Sequence, residues 1–277
     1  MVRTATQLFR LLVVLAPTVE VAYADDLPWQ TERRIIGVSE LEPIENALGS
    51  PFYTGSQIVA RLETNDGVGY CTGVRVGPDL FLTNYHCSDY KACDSIQFHL
   101  AFEKAIAPEQ QLVLKCKEML SKSVAYDYAL YRVESVGFSP KPGDEGNPQA
   151  TKASVAPPLS SFPTAILWAG PMQLGAPMYL AGHPGARFKE IDRGAKCALR
   201  SVEPELIEER KTITHTCDTE GGSSGSPLID KNSGYVVALH WGGKDDFNMA
   251  IPISEIVSDL QKTLPADIYT QLHIVDH

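Results

Sequence analysis

The chain has no excess of basic charge. Its 277 residues carry 24 Lys and Arg against 34 Asp and Glu, a formal net charge of −10. That excludes a protein held to nucleic acid mainly by phosphate contacts and argues against a basic membrane-surface protein. It also lacks any apolar run after residue 24 long enough to span a bilayer. No C-x-x-C pair is present, which speaks against a zinc site although His86 lies beside Cys87 and near Cys93. No internal repeat breaks the pattern, and neither a metal nor a cofactor is expected. What remains is a globular composition, 44% hydrophobic and 21% charged with 21 Gly and 19 Pro. It is neither disordered nor collagen-like nor a coiled coil. The length suits one large domain or two modest ones.

The N-terminus points to a compartment. Residues 1–10 carry two arginines and no acid, an apolar run follows from Leu11 to Ala16, and Ala22-Tyr23-Ala24 is a small-x-small cleavage signal. Residues 1–24 read as a signal peptide, with Pro17 and Glu20 interrupting the run too early for a membrane anchor. The mature protein is expected to be soluble, secreted or periplasmic, and free of the membrane. In that compartment Cys71, Cys87, Cys93, Cys116, Cys197 and Cys217 read as disulfides, with the pairing left open by spacing alone.

Periodicity along the chain is that of strands. Short alternating or β-branched runs occur at 57–63, 71–76, 80–83, 95–102, 111–115 and 128–133, and again at 178–181, 211–216, 235–240 and 249–253. Gly, Pro, Asn and Asp clusters separate them, as at Val76-Gly77-Pro78-Asp79. Many short strands at this spacing imply a barrel or sandwich rather than βαβ units. Ser139 to Pro163 is proline-rich and poor in large apolar groups, so it reads as a crossover between two halves of similar size. One helix is expected near the C-terminus, capped by Ser254, with Ile256, Val257 and Leu260 as its apolar face and Pro265 beyond its end.

Three short segments carry chemistry. Gly221-Gly222-Ser223-Ser224-Gly225-Ser226-Pro227 is a glycine-rich turn able to bring backbone N–H groups close to a reacting carbonyl. His86 ends a strand-like run and is tethered by Cys87. Asp127 stands alone among aromatic and aliphatic neighbours, where a buried charge needs a partner. Singly, each is more often structural. The segment also fits G-x-S-x-G with Ser223 as nucleophile, but an α/β-hydrolase elbow needs a helix after it and Asp and His downstream, and here Pro227 and a strand-like run follow.

In the order His86, Asp127, Ser224, the chain resembles the chymotrypsin-like serine peptidases. It is most similar to the glutamyl endopeptidase, or V8-like, branch through Thr219 to Pro227, Ala238-Leu239-His240-Trp241-Gly242-Gly243 and Asn248 to Ile253. The resemblance covers most of residues 35–262. It implies an all-β fold of two six-stranded antiparallel barrels with a C-terminal helix, the first over 35–140, a crossover over 141–163 and the second over 164–277. It implies Ser224 as nucleophile, His86 as base, Asp127 as its orienting carboxylate, and the N–H groups of Gly222 and Ser224 as the oxyanion hole. The bridges implied are Cys71–Cys87, Cys93–Cys116 and Cys197–Cys217.

The activity implied is that of an endopeptidase, with protein or peptide substrates and a monomeric state; a catalytically silent homologue that only binds is the alternative. Thr219 and His240 match the places that receive a glutamate at P1, the residue supplying the scissile carbonyl. Asp218 matches the place where trypsin-like enzymes bind Arg or Lys, and the expectation leans to acidic P1. One departure stands out: Ser223 occupies the place of the aspartate that pairs with a new N-terminus in trypsin-type activation. Arg33-Arg34-Ile35-Ile36-Gly37 nonetheless resembles a processing site, so residues 25–34 are a candidate propeptide.

Overall fold

The computed structural model describes residues 33–89, 91–135 and 156–277. The signal segment, the candidate propeptide up to residue 32 and the crossover up to residue 155 lie outside the described residues.

The first half runs β1 (Arg33–Arg34), β2 (Leu41–Pro43), α1 (Pro51–Gly55), β3 (Val59–Thr64), β4 (Gly69–Arg75), β5 (Leu80–Thr83), β6 (Ile96–Leu100), β7 (Leu112–Ser123) and β8 (Tyr128–Ser135). Strands β3 to β8 close into an antiparallel barrel in the order β3-β4-β5-β8-β7-β6. Strands β4 and β5 and the first part of β8 are buried on both faces, and β5 and β8 read as apolar runs for that reason. In β5, Phe81 points into the barrel against Phe98 and Tyr131, while Leu80 and Leu82 face the other way. Tyr128 and Leu130 of β8 share that outward cluster with Tyr179, Leu239 and Ile251 from the second half. With a side-chain period of two, a one-residue slip in either strand would exchange the two cores.

The second half runs β9 (Ile166–Trp168), β10 (Met178–Gly182), β11 (Glu190–Asp192), β12 (Glu205–Ile207), β13 (Arg210–His215), β14 (Thr219–Glu220), β15 (Pro227–Asp230), β16 (Val236–Gly243), β17 (Asn248–Pro252), α2 (Ile253–Thr263), α3 (Ala266–Tyr269) and β18 (His273–Val275). The expected second barrel appears as part of a wider sheet, ordered β12-β13-β17-β16-β15-β10-β11-β2, with β9 and β18 alongside. On the far side, residues 197–201 link the start of β10 to β13 through the isolated bridges Pro177–Ala198 and Leu199–His215, neighbouring backbone bonds and the Cys197–Cys217 disulfide. Residues 193–204 form no ladder there, which leaves the edge of β11 to be covered by β2 from the N-terminal segment. Paired edges of this kind protect a sheet from adding foreign strands.

Every strand-like run named from the sequence lies on a strand. Helix α2 starts two residues earlier than expected: Pro252 is its N-cap and makes no side-chain bond, so Ser254 lies inside the first turn and does not cap it. Ile256, Val257 and Leu260 are buried as expected and close the shared cluster from below. The three disulfides join Cys71–Cys87, Cys93–Cys116 and Cys197–Cys217, the pairing implied by the resemblance.

One buried ion pair ties the halves together, and two fully buried histidines lie in the second half. Lys189, before β11, donates to Glu103 after β6 at 2.8 Å, and both are fully buried. Tyr53 and Gln57 donate to the remaining lone pairs of that carboxylate, so the pair is hydrogen-bonded on both sides as a buried charge requires. His183 and His215 are also fully buried. Burial pushes both imidazoles down, His215 to about 3 and His183 well below its ordinary value.

An unfolded histidine takes up a proton near pH 6.5, whereas these two resist protonation when folded. Stability is therefore complete above about pH 6.5 and falls on acidification, by about 1.4 kcal/mol per pH unit for each such group. For His215 the loss runs down to its folded value of about 3. Thermal unfolding between pH 7 and pH 4.5 is expected to show a falling melting temperature, with a shallower fall in His215→Gln. An unchanged slope in that variant would show that His215 does not carry the effect.

Candidate active site

Asp127 occupies the tight turn between β7 and β8, with φ at +40° and no exposed surface. That left-handed conformation is costly for a non-glycine residue. Here it is held by Asp127 N–H donating to Val124 O and by the Asn84 amide donating to Asp127 O at 3.0 Å. The carboxylate then faces His86, which follows β5. His86 N–H donates to Asp127 Oδ1 at 3.0 Å, and His86 Nδ1 lies 2.8 Å from Oδ2. The imidazole is thus gripped at its inner nitrogen while its side chain stays about a third exposed, at 37%. The bridge from Cys87 to Cys71 pins the backbone beside it.

Ser224 lies on the loop between β14 and β15 and lines the same cleft as His86, a cavity of about 330 Å³ between the two halves. Its hydroxyl makes a long 3.5 Å contact to Trp241 O and no bond to His86. Gly222 takes φ +93° and passes so close to the 183–186 turn that a Cβ would sit 2.6 Å from His183 O. Only glycine fits there. Among the described residues, the backbone N–H groups of Gly222 and Ser224 have no acceptor within the chain. The sequence therefore brings together His86, Asp127, Ser224 and the Gly222 N–H in one cleft. A larger depression of about 430 Å³ between Trp168, Met172, Leu199 and Tyr235 has no such grouping; its one carboxylate, Asp230, caps the following turn.

The three residues expected at the specificity pocket part company. Thr219 and His240 line the cleft, both almost fully buried, and the Thr219 hydroxyl has no hydrogen-bond partner among the described residues. Asp218 does not line it. Its carboxylate turns the other way, accepting from Ile36 N–H at 2.8 Å and Glu40 N–H at 2.7 Å and pairing with Lys196 at 2.9 Å. In this structure both Asp218 oxygens are engaged away from the cleft, by two donors of the N-terminal segment and by Lys196. Glu220, which does line the cleft, is neutralised by Arg187 at 2.7 Å.

Several groups at the site escape sequence reasoning. His215 Nε2 lies 3.2 Å from His240 Nδ1. Burial, then the proximity of His215 and His86, pushes His240 well below its ordinary value, so it faces the cleft uncharged. Arg210 Nε approaches Asp127 Oδ2 to 3.5 Å, with its guanidinium stacked 4.7 Å from the centre of the Trp241 ring. Thr72 contacts the loop that bears Ser224. None of these belongs to a spaced motif, and all come together only through strand pairing.

Glutamyl endopeptidases of Staphylococcus aureus strains MW2 and N315 are 25% identical over 212 residues, covering 76% of this chain. The chain spans 58% and 55% of the length of those two relatives. Among solved structures, a Glu endopeptidase superposes with a TM-score of 0.56 at 15% identity, covering 86% of this chain and 100% of its own. The Rv3671c protease in its inactive form gives 0.50 at 20% identity, covering 76% of this chain and 90% of its own. The model of the trypsin-like peptidase domain matches residues 71–239, from the cysteine bridged beside His86 to the strand that lines the cleft. By that match over more than half its length, this chain belongs to the trypsin-like peptidase family.

Proposed function

We propose that this chain is an exported serine endopeptidase that cleaves peptide bonds through an acyl-enzyme. The observation that carries the reading is the double hydrogen bond of His86 to fully buried Asp127, in the same cleft as Ser224 and two unengaged N–H groups. A neutral serine needs a base to become nucleophilic. After a turn of its side chain away from Trp241 O, Ser224 Oγ attacks the scissile carbonyl while His86 Nε2 takes its proton. Asp127 fixes the tautomer and stabilises the imidazolium. The oxyanion is received by the Gly222 and Ser224 N–H groups, each donor contributing about 3–4 kcal/mol in comparable sites. His86 then protonates the leaving amine, and water repeats the sequence to release the acid.

Acidic P1 is favoured over basic P1. Asp218 is engaged elsewhere, Glu220 is paired, and Thr219 and His240 present hydrogen-bonding groups instead of a free carboxylate. The unpartnered Thr219 hydroxyl, beside the uncharged His240 ring, can donate to a substrate carboxylate, and charge-assisted bonds of that kind are the strong ones. Export follows from the signal-like N-terminus and the three disulfides. Maturation after Arg34 is read from the dibasic Arg33-Arg34 before Ile35, with Ile36 on the retained side anchored on Asp218.

Ser224→Ala and His86→Ala should each lower kcat by on the order of 10⁶ with melting temperature preserved, and Asp127→Asn by on the order of 10⁴. Fluorophosphonate labelling of the wild type at Ser224 separates this reading from a silent binding homologue, which would not label. Peptide anilides differing only at P1 should be cleaved faster with Glu than with Gln or Arg; a preference for Arg lost in Asp218→Ala would reverse the assignment. Sequencing of the secreted active form is expected to start at Ile35, and an active form starting at Asp25 would make that cleavage dispensable.

A further inference from the structure

The loop from Gly221 to Ser224 has four carbonyls, and each is held from outside its own peptide. Gly221 O accepts from Gly185 N–H and Ser223 O from Ser226 N–H. The other two are held by a single residue of the opposite half. Thr72 Oγ1 donates to Gly222 O at 2.9 Å, and Thr72 N–H donates to Ser224 O at 2.8 Å. Because a trans peptide is planar, fixing the carbonyl of one residue fixes the N–H of the next: the Gly185 and Ser226 bonds set the Gly222 and Ser224 N–H groups, and the Thr72 bonds set the Gly222–Ser223 and Ser224–Gly225 peptides on either side of them.

Thr72 is fully buried in β4 and uses its hydroxyl twice, since Oγ1 also accepts from His183 N–H at 3.0 Å. That second bond holds the turn whose Gly185 N–H grips Gly221 O, and the Gly221–Gly222 peptide carries the first oxyanion donor. Contact with the nucleophile loop is close: a Cβ on Gly225 would sit 2.0 Å from Thr72 O. The residue before Thr72 is Cys71, bridged to Cys87 beside His86. One dipeptide of the barrel thus holds the backbone next to the base and the backbone around the nucleophile.

We infer that Thr72 is a positioning residue: its hydroxyl fixes the Gly222–Ser223 peptide, which lies between the two oxyanion donors, and the turn that grips Gly221 O, and through these it keeps the Gly222 and Ser224 N–H groups aimed into the cleft. The inference rests on the triad reading above. Removing the hydroxyl frees Gly222 O and His183 N–H together, so the donors lose their preset direction while the substrate pocket of Thr219 and His240 keeps its shape.

The test compares wild type, Thr72→Val and Thr72→Ser, with active sites counted by fluorophosphonate labelling. The substrate is the peptide anilide that the wild type cleaves fastest. The probe of the oxyanion site is a peptidyl trifluoromethyl ketone with the same P1 residue, which binds as a tetrahedral oxyanion. In Thr72→Val, kcat per labelled site should fall roughly 10–100-fold with KM within about threefold, affinity for the ketone should fall in parallel, and Thr72→Ser should recover most of both. If Thr72→Val does not fold, Thr72→Ala takes its place in the same comparison. A Thr72→Val enzyme that keeps kcat and ketone affinity within about twofold, whatever its melting temperature, overturns the inference and leaves the triad reading standing. A wild type that neither labels nor cleaves overturns both.

Discussion

The arrangement depends on strands that are buried on both faces. In β4, β5 and β8, one set of side chains fills the closed barrel and the alternate set packs against β10, β16 and α2. At about 25 cal/mol per Å² of apolar surface removed from water, that second face is as much a part of folding as the first. The two halves therefore share a core and do not merely touch. That sharing sets the width of the cleft, because His86 and Asp127 stand at the ends of the same strands whose outer faces hold the half that carries Ser224.

Electrostatics at the cleft follow from burial. Asp127 has no contact with solvent and finds its partners in His86 and, at longer range, Arg210. The opposite solution is used for His215 and His240, which stay uncharged where they are buried. Lys91, beside the Tyr70 ring, is the remaining cation lining the cleft. A charged group is kept where it is bonded and a titratable one is kept neutral where it is not, which is how a dry site avoids isolated charge.

Much of this was legible in the residues themselves. Two-sided burial made β5 and β8 visible as apolar runs, and the tether of His86 to Cys87, the apolar flanks of Asp127 and the glycines around Ser224 marked the site. The strands that escaped are short or polar. Glu190–Asp192 and Glu205–Ile207 carry little periodicity and owe their state to backbone pairing, while the outer part of β7 is polar and bulged, as its register shifts near Cys116 and Met119 show. Asp218 was misleading because position along the chain does not give direction: next to a buried, disulfide-bonded Cys217, its side chain turned to the far side of the loop. Thr72 and Arg210 gave no signal, since neither has a chemical partner near it in sequence.

The commitment of Asp218 bears on how this scaffold can diversify. Its carboxylate closes a junction among the N-terminal segment, Lys196 and the loop before Thr219. Recruiting it to face a cationic substrate would leave two backbone N–H groups without their acceptor and Lys196 without its carboxylate partner, so such a variant would have to rebuild the junction before it gained a new preference. Thr219 and His240 can be exchanged without touching that junction. Evolution or engineering of this chain is thus channelled toward the floor and far wall of the cleft, with position 218 held back as part of the frame.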